Sequence, residues 1–293
     1  MPKTIYDQLN PKASAMVVLS GGQDSTTCLY WIKEYLSRFE DTELHAVTFD
    51  YGQRHYREIE SARRIALLAG VDSHEIISVG SILKGTSPLV DSSAELEQYK
   101  DHASLPGGLE KTFVPMRNQL FMTIAANRAF VKGCSMLVTG VCEEDFGGYP
   151  DCRSGFLDAL CEACNLGTFT GLPSDSVTGS PGPLSIVAPL LSMSKAESVL
   201  EALHLPGCYE ALAWSHTGYD GVYPPDGRDH ATLLRAKGFE EAGVPDPLVL
   251  RAHMGGLMEL PSTRAYDMSK RGPLGFMRRI AKELHDAAEL GWS

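Results

Sequence analysis

This 293-residue chain has no long apolar run: nothing in it approaches the roughly 18 consecutive apolar residues of a membrane-spanning helix. Residues 1–14 contain no signal-peptide apolar stretch, so the expected address is the cytoplasm, with no membrane partner. Basic residues are also scarce: 26 Lys and Arg stand against 37 Asp and Glu, a formal charge of −11. Nonspecific nucleic-acid binding needs a basic footprint, so direct contact with nucleic acid is not expected. Cysteine is limited to seven residues, an odd number scattered from Cys28 to Cys208, which suits reduced thiols better than a disulfide framework. What the chain does have is a 43% hydrophobic share, enough to bury a full core in one large domain or two smaller ones.

The order of elements predicts an α/β fold. Residues 15–19 are a short apolar run ending at Ser20-Gly21-Gly22, and residues 26–39 follow with helical spacing of Leu29, Ile32 and Leu36. A second strand (44–49) and helix (56–69, closed by Gly70) come next, then a third strand at 73–79. Residues 81–111 form a polar Gly/Pro/Ser-rich excursion suited to a lid. Helices at 118–131 and 156–166 alternate with strands at 136–141 and 184–187, and this alternation implies a parallel, doubly wound sheet. Residues 167–183 read as a loop. After residue 205 the pattern turns irregular, with one helix over 230–242. A basic amphipathic helix covers 274–290, with Leu274, Met277, Ile280, Leu284 and Ala288 on one face, and reads as a docking helix. Three segments result: 1–205, 206–240 closing the pocket, and a helical extension over 241–293.

The sharpest local signal is Ser20-Gly21-Gly22-Gln23-Asp24-Ser25, set between a strand and a helix start. Backbone N–H groups there meet the positive end of the helix dipole, a setting that binds phosphate. Glycines admit the anion, the two serines add hydroxyl donors, and Asp24 can hold Mg2+ against the phosphates. It is neither a Walker A loop nor Gly-x-Gly-x-x-Gly. The second strand ends in Phe49-Asp50-Tyr51-Gly52-Gln53-Arg54-His55, at the sheet edge where open α/β sheets bind ligands. The fourth delivers Glu143, Asp145, Phe146, Tyr149, Asp151 and Arg153 to the same edge, a mixture suited to a flat polar heterocycle.

The Ser-Gly-Gly-x-Asp-Ser loop resembles that of the N-type ATP pyrophosphatases, which are adenine nucleotide alpha hydrolase-like Rossmann folds. Together with TFDYGQRH, VPMRN and TGVCEEDFGGYPDCR it resembles the QueC family of the queuosine pathway over roughly residues 16–239. The resemblance implies an ATP-dependent ligase that adenylates 7-carboxy-7-deazaguanine and condenses it with ammonia to give 7-cyano-7-deazaguanine. It further implies ATP contacts at Ser20 to Ser25 and Phe49, and substrate contacts at Gln53, Arg54, His55 and the fourth-strand residues. Asp24, Arg117 and Lys195 match the positions that manage phosphate charge. A homodimer is also implied.

QueC proteins hold zinc on four cysteines, and the matching positions here read His216, Asp226, Asp229 and Thr232. Tetrahedral thiolate zinc cannot form from these side chains, so zinc is not expected. A hard or mixed N/O metal site on His216, Asp226, Asp229 and His230 stays open, but the favoured replacement is hydrogen bonds and ion pairs, for example Asp229 with Arg228 or Arg235. Cys161-x-x-Cys164 is read as a pair of buried helix thiols, and no internal repeat is seen. The departure leaves two other outcomes open. One is conjugation of the activated deazaguanine to a protein amine, as in QueC-like proteins of antiphage operons; the other is a non-catalytic module that binds ATP or a deazapurine.

Overall fold

The computed structural model describes residues 9, 13–53, 56–91, 96–101, 104, 111–143, 149–170, 181–269 and 271–289. Five strands, β1 (Ser14–Val18), β2 (Leu44–Asp50), β3 (Ser73–Ser78), β4 (Cys134–Val138) and β5 (Ser185–Val187), form one sheet. Their order is β3-β2-β1-β4-β5 and every pairing is parallel. The central strands are buried on both faces, as a helix-covered parallel sheet requires. Their alternation sorts the core: Ala15, Val17, Ala46 and Val138 enter one cluster, and Met16, Val47 and Leu137 the other.

The helices are α1 (Gln23–Leu36), α2 (Arg57–Ala69), α3 (Arg117–Val131), α4 (Ser154–Cys164), α5 (Lys195–His204), α6 (Cys208–Leu212), α7 (His230–Ala242), α8 (Pro247–Met254) and α9 (Arg271–Glu289). The first cluster takes in residues of α1, α2, α5 and α6, whereas α3 and α4 supply the second. Described residues of the 81–111 excursion join the second cluster through Leu83, Leu89 and Val90, and Tyr99 N–H donates to the Arg228 carbonyl at 2.7 Å.

Several boundaries differ from the sequence expectation. Helix α1 begins at Gln23 rather than 26, because three polar residues start it and apolar periodicity misses them. Strand β4 stops at Val138, short of 141, where the chain turns into the crevice at Gly140. Helices α5 and α6 occupy stretches without a helical expectation, whereas α8 falls inside the helical extension expected over 241–293. On α9 the packed face carries Phe276, Met277, Ile280 and Leu284, while Leu274 is exposed. Cys161 and Cys164 do lie in a helix but are only half-buried, and Cys161 Sγ–H donates to the Leu184 carbonyl at 3.3 Å.

Candidate active site

The strand order reverses between β1 and β4, the switch point where open α/β sheets bind ligands. The Ser20 to Ser25 loop leaves β1 at this crevice and enters α1. Gly21 has φ 84°, and a Cβ there would stand 2.4 Å from the Glu58 carbonyl oxygen and 2.8 Å from Ala62 N, so only glycine fits against α2. The loop holds itself by its serines: Ser20 Oγ and Ser25 Oγ are 2.9 Å apart, and Gly22 N–H donates to Ser20 Oγ at 3.3 Å. Across the crevice Gly140 closes on the start of α1, where a Cβ would meet Ser25 N at 2.7 Å.

Lys195 is the first residue of α5, whose N-terminus is fixed by a capping box between Ser194 and Glu197. That cap brings Nζ to Asp24, and the ammonium donates to Oδ2 at 2.7 Å with both side chains about four-fifths buried, at 18% and 23% exposure. Two adjoining hollows flank this pair. One, about 340 Å3, runs from the loop over the ends of β1, β2 and β4; the other, about 200 Å3, lies between the loop, Lys195 and His216. They share Gly22, Gln23, Asp24 and Glu58, which makes one continuous crevice. Gln23 Nε2 is buried and has no hydrogen-bond partner among the described residues, a donor left for a ligand.

The larger hollow has an aromatic wall. Phe49 stacks on Phe121 at 4.4 Å and 11°, and Tyr51 tilts against Phe121 at 5.1 Å. Gln53 locks the turn after β2 by accepting from Tyr51 N–H at 2.9 Å. Met116, exposed and at φ 65°, takes a strained left-handed conformation that turns the chain into α3 immediately before Arg117. Burial disfavours the Arg117 charge, but Tyr51, Tyr149, Asp151 and Glu58 surround it and hold it protonated. Burial in turn pushes Glu58 up to about 7, with Arg117 pulling the other way. The same balance raises Asp151, and burial raises Tyr51 to about 12.

The structure therefore brings together Ser20, Gly22, Gln23, Asp24, Ser25, Phe49, Gln53, Arg117, Tyr149 and Lys195 around the crevice. Gly21 stands behind the loop against α2, and Asp151 lies beside Arg117. Glu143 is exposed and accepts the Ser154 N–H at 2.7 Å, capping α4, while Arg153 is exposed at the same helix end; neither lines the crevice. Arg54, His55, Asp145 and Phe146 lie outside the described residues. Glu58, Tyr219 and Arg235 line the crevice without having been expected there. A glutamate eight residues after the β2 terminus carries no local motif, and only the fold brings it under the loop.

The substituted zinc positions do not converge. His216 N–H donates to the Gly21 carbonyl at 2.9 Å and its Nε2 lies 3.0 Å from the Gly218 carbonyl. Asp229 caps α7, accepting from Thr232 N–H at 2.8 Å and Tyr219 N–H at 3.1 Å. Asp226 is exposed and accepts from Arg228 N–H. The expected ion pair of Asp229 with Arg228 or Arg235 is corrected: Asp229 bonds backbone amides, and Arg235 instead makes a bidentate pair with Asp246 at 2.6 and 2.8 Å. Asp246 wins because it is buried at the N-terminus of α8 and offers both oxygens to the guanidinium fork. Among the described residues no group of three His, Cys, Asp or Glu side chains is placed to hold a metal ion.

A parallel sheet with a Ser-Gly-Gly loop at its switch point, and a Lys-Asp pair at that loop, makes this a doubly wound α/β protein with its candidate site at the ligand edge of the sheet. Residues 14–243 match the family described as queuosine biosynthesis protein QueC, and the chain belongs to that family, whose fold implies use of ATP. It is 50% identical over 236 residues to the 7-cyano-7-deazaguanine synthase of Gloeobacter violaceus, covering 80% of this chain and 94% of that one. The synthase of the same name from Chromobacterium violaceum is 49% identical over 81% of this chain and 93% of its own, and that from Laribacter hongkongensis 45% over 84% and 98%. Helices α8 and α9 lie beyond the family match. No described helix is long and apolar enough to cross a membrane.

Proposed function

We propose that the chain adenylates the carboxylate of 7-carboxy-7-deazaguanine and condenses the acyl adenylate with an amine. The observation that carries this reading is the Lys195–Asp24 pair set over the Ser20 to Ser25 loop, next to a hollow with an aromatic wall and a buried arginine. A carboxylate oxygen attacks the α-phosphorus of ATP, the bond to the β-phosphate oxygen breaks, and pyrophosphate leaves. Loop amides and Lys195 face the charge that develops on the leaving group, and Arg117 balances charge on the substrate side. A magnesium ion, when bound, neutralises phosphate charge. Asp24 beside two serine hydroxyls suits it, because this ion keeps water and phosphate oxygens as its remaining ligands.

The amine then attacks the acyl carbon, AMP leaves, and one proton must be taken from nitrogen. Glu58, poised near 7 in the crevice, is the base we assign to that proton. With ammonia, the resulting amide is dehydrated at the expense of a second ATP to give the nitrile. A protein amine as acceptor is the second reading, supported by the loss of the zinc cysteines and by two helices beyond the family match. The test is release of pyrophosphate from ATP and Mg2+ with and without 7-carboxy-7-deazaguanine, followed by mass spectrometry. Release that depends on the deazaguanine supports the enzyme, and its absence sinks it in favour of a binding module. A nitrile formed from ammonium supports the small-molecule acceptor; a deazaguanine mass added to a protein supports conjugation.

A further inference from the structure

A second cavity, of about 770 Å3, lies on the other side of His216, which lines both it and the crevice. Its walls come from α2, from Trp214 and Tyr223, and from α8 beyond the family match. Among the described residues four arginines line it, Arg57, Arg63, Arg64 and Arg251, with one carboxylate, Glu60. Two of them press on a single indole: the Arg64 guanidinium is 3.7 Å and that of Arg251 4.4 Å from the Trp214 ring centre. Arg251 also lies 4.2 Å from the Tyr223 ring centre and donates from Nε to its hydroxyl at 2.7 Å.

This gathers positive charge inside a chain of net charge −11. Aromatic rings offset only part of the repulsion between such neighbours. Burial, with Arg251 adding to it, lowers Arg64 to about 10, and burial also lowers Arg251. Trp214 Nε1–H is buried and has no hydrogen-bond partner among the described residues. A buried donor without a partner and crowded guanidiniums are both relieved by the same thing, an anion with several acceptor oxygens.

We propose that this cavity binds a phosphate-bearing small molecule of nucleotide size through Arg57, Arg64 and Arg251. The volume lies within the range of about 300–1,000 Å3 for small-molecule sites. Guanidiniums of Arg57, Arg64 and Arg251 on one cavity offer several forked donors, which the many oxygens of a di- or triphosphate engage more fully than a lone carboxylate does. The site is separate from the catalytic crevice but joined to it by His216, whose N–H donates to the Gly21 carbonyl of the nucleotide loop.

Calorimetric titration of the full chain with inorganic tripolyphosphate tests this. Wild type is expected to give two binding events. Arg57→Gln, a change at an exposed side chain, and Arg251→Met each weaken one event by about tenfold or more and leave the other in place. Ser20→Ala with Ser25→Ala weakens the other event alone, so failure of the crevice reading and failure of this one are told apart. A single event indifferent to both arginine variants overturns the proposal, and so does citrate binding at the arginine cavity as tightly as tripolyphosphate. Parallel titrations with ATP and AMP identify the source: a nucleotide that outcompetes tripolyphosphate at the arginine-sensitive event marks a nucleotide site, and weaker binding marks a site for phosphate chains alone.

Discussion

Lys195 and Asp24 are each other's partner and both face the same loop, so removing either disturbs two charges. Under the proposed mechanism, in which the Lys195 ammonium meets charge that appears only as the α–β bond breaks, Lys195→Ala is expected to lower kcat for pyrophosphate release by about a hundredfold or more. Single-turnover release measured at saturating ATP checks this. Glu58 makes a different kind of prediction. Its folded pKa stands at about 7 against an ordinary 4.5, so the protonated form is favoured in the fold. The stabilisation is full below the unfolded value and is lost as pH rises through about 7. Melting temperature should therefore fall from about pH 4.5 to about pH 7 and level off above, and the Glu58→Gln variant should lose that slope while also losing rate with the amine; melting curves across about this range decide it.

At the scale of elements, two contacts govern how the crevice is held. Gly21→Ala puts a Cβ into the backbone of α2 at a left-handed φ, and is expected to cost about 2 kcal/mol or more together with most activity, read by denaturant unfolding. The Arg235–Asp246 pair, at 4% and 6% side-chain exposure, ties α7 to α8. Asp246→Ala leaves a buried guanidinium with lost partners and should destabilise by about 3–5 kcal/mol, whereas Arg235→Met with Asp246→Leu should recover much of that loss. The helix signals were unevenly legible. The expected helix over 230–242 and the expected cap at Gly70 coincide with the observed helix and αL cap. Yet Ser194 and Glu197 are a capping box written plainly in sequence, and Asp246-Pro247 is an equally plain helix start; reading Lys195 for its charge alone hid the first. The loop and the parallel order were legible because strand, glycine turn and helix are local. Glu58, Arg235 and the arginine cavity were not, since long-range folding alone makes them neighbours.

For the whole molecule, the extension beyond residue 243 is part of one core. It supplies Asp246 to Arg235, Arg251 to Trp214, and Phe276 to the ring of fully buried Tyr209 at 4.9 Å. Ending the chain at residue 243 should thus lower the melting temperature by about 10 °C or more and promote aggregation, seen by calorimetry and light scattering, rather than yield a minimal enzyme. The sequence reading of α9 as a docking helix is answered in part by its own chain, which takes the Phe276, Met277, Ile280 and Leu284 face.

The hydrogen bond from His216 N–H to the Gly21 carbonyl has one more consequence. It is a strap between the segment that leads into α7 and the Ser20 to Ser25 loop. An amide so placed swaps its proton for deuterium only when the strap parts. His216 is thus a gauge within the chain: the protection of its amide against deuterium reports how often this strap on the Ser20 to Ser25 loop opens, with no ligand needed.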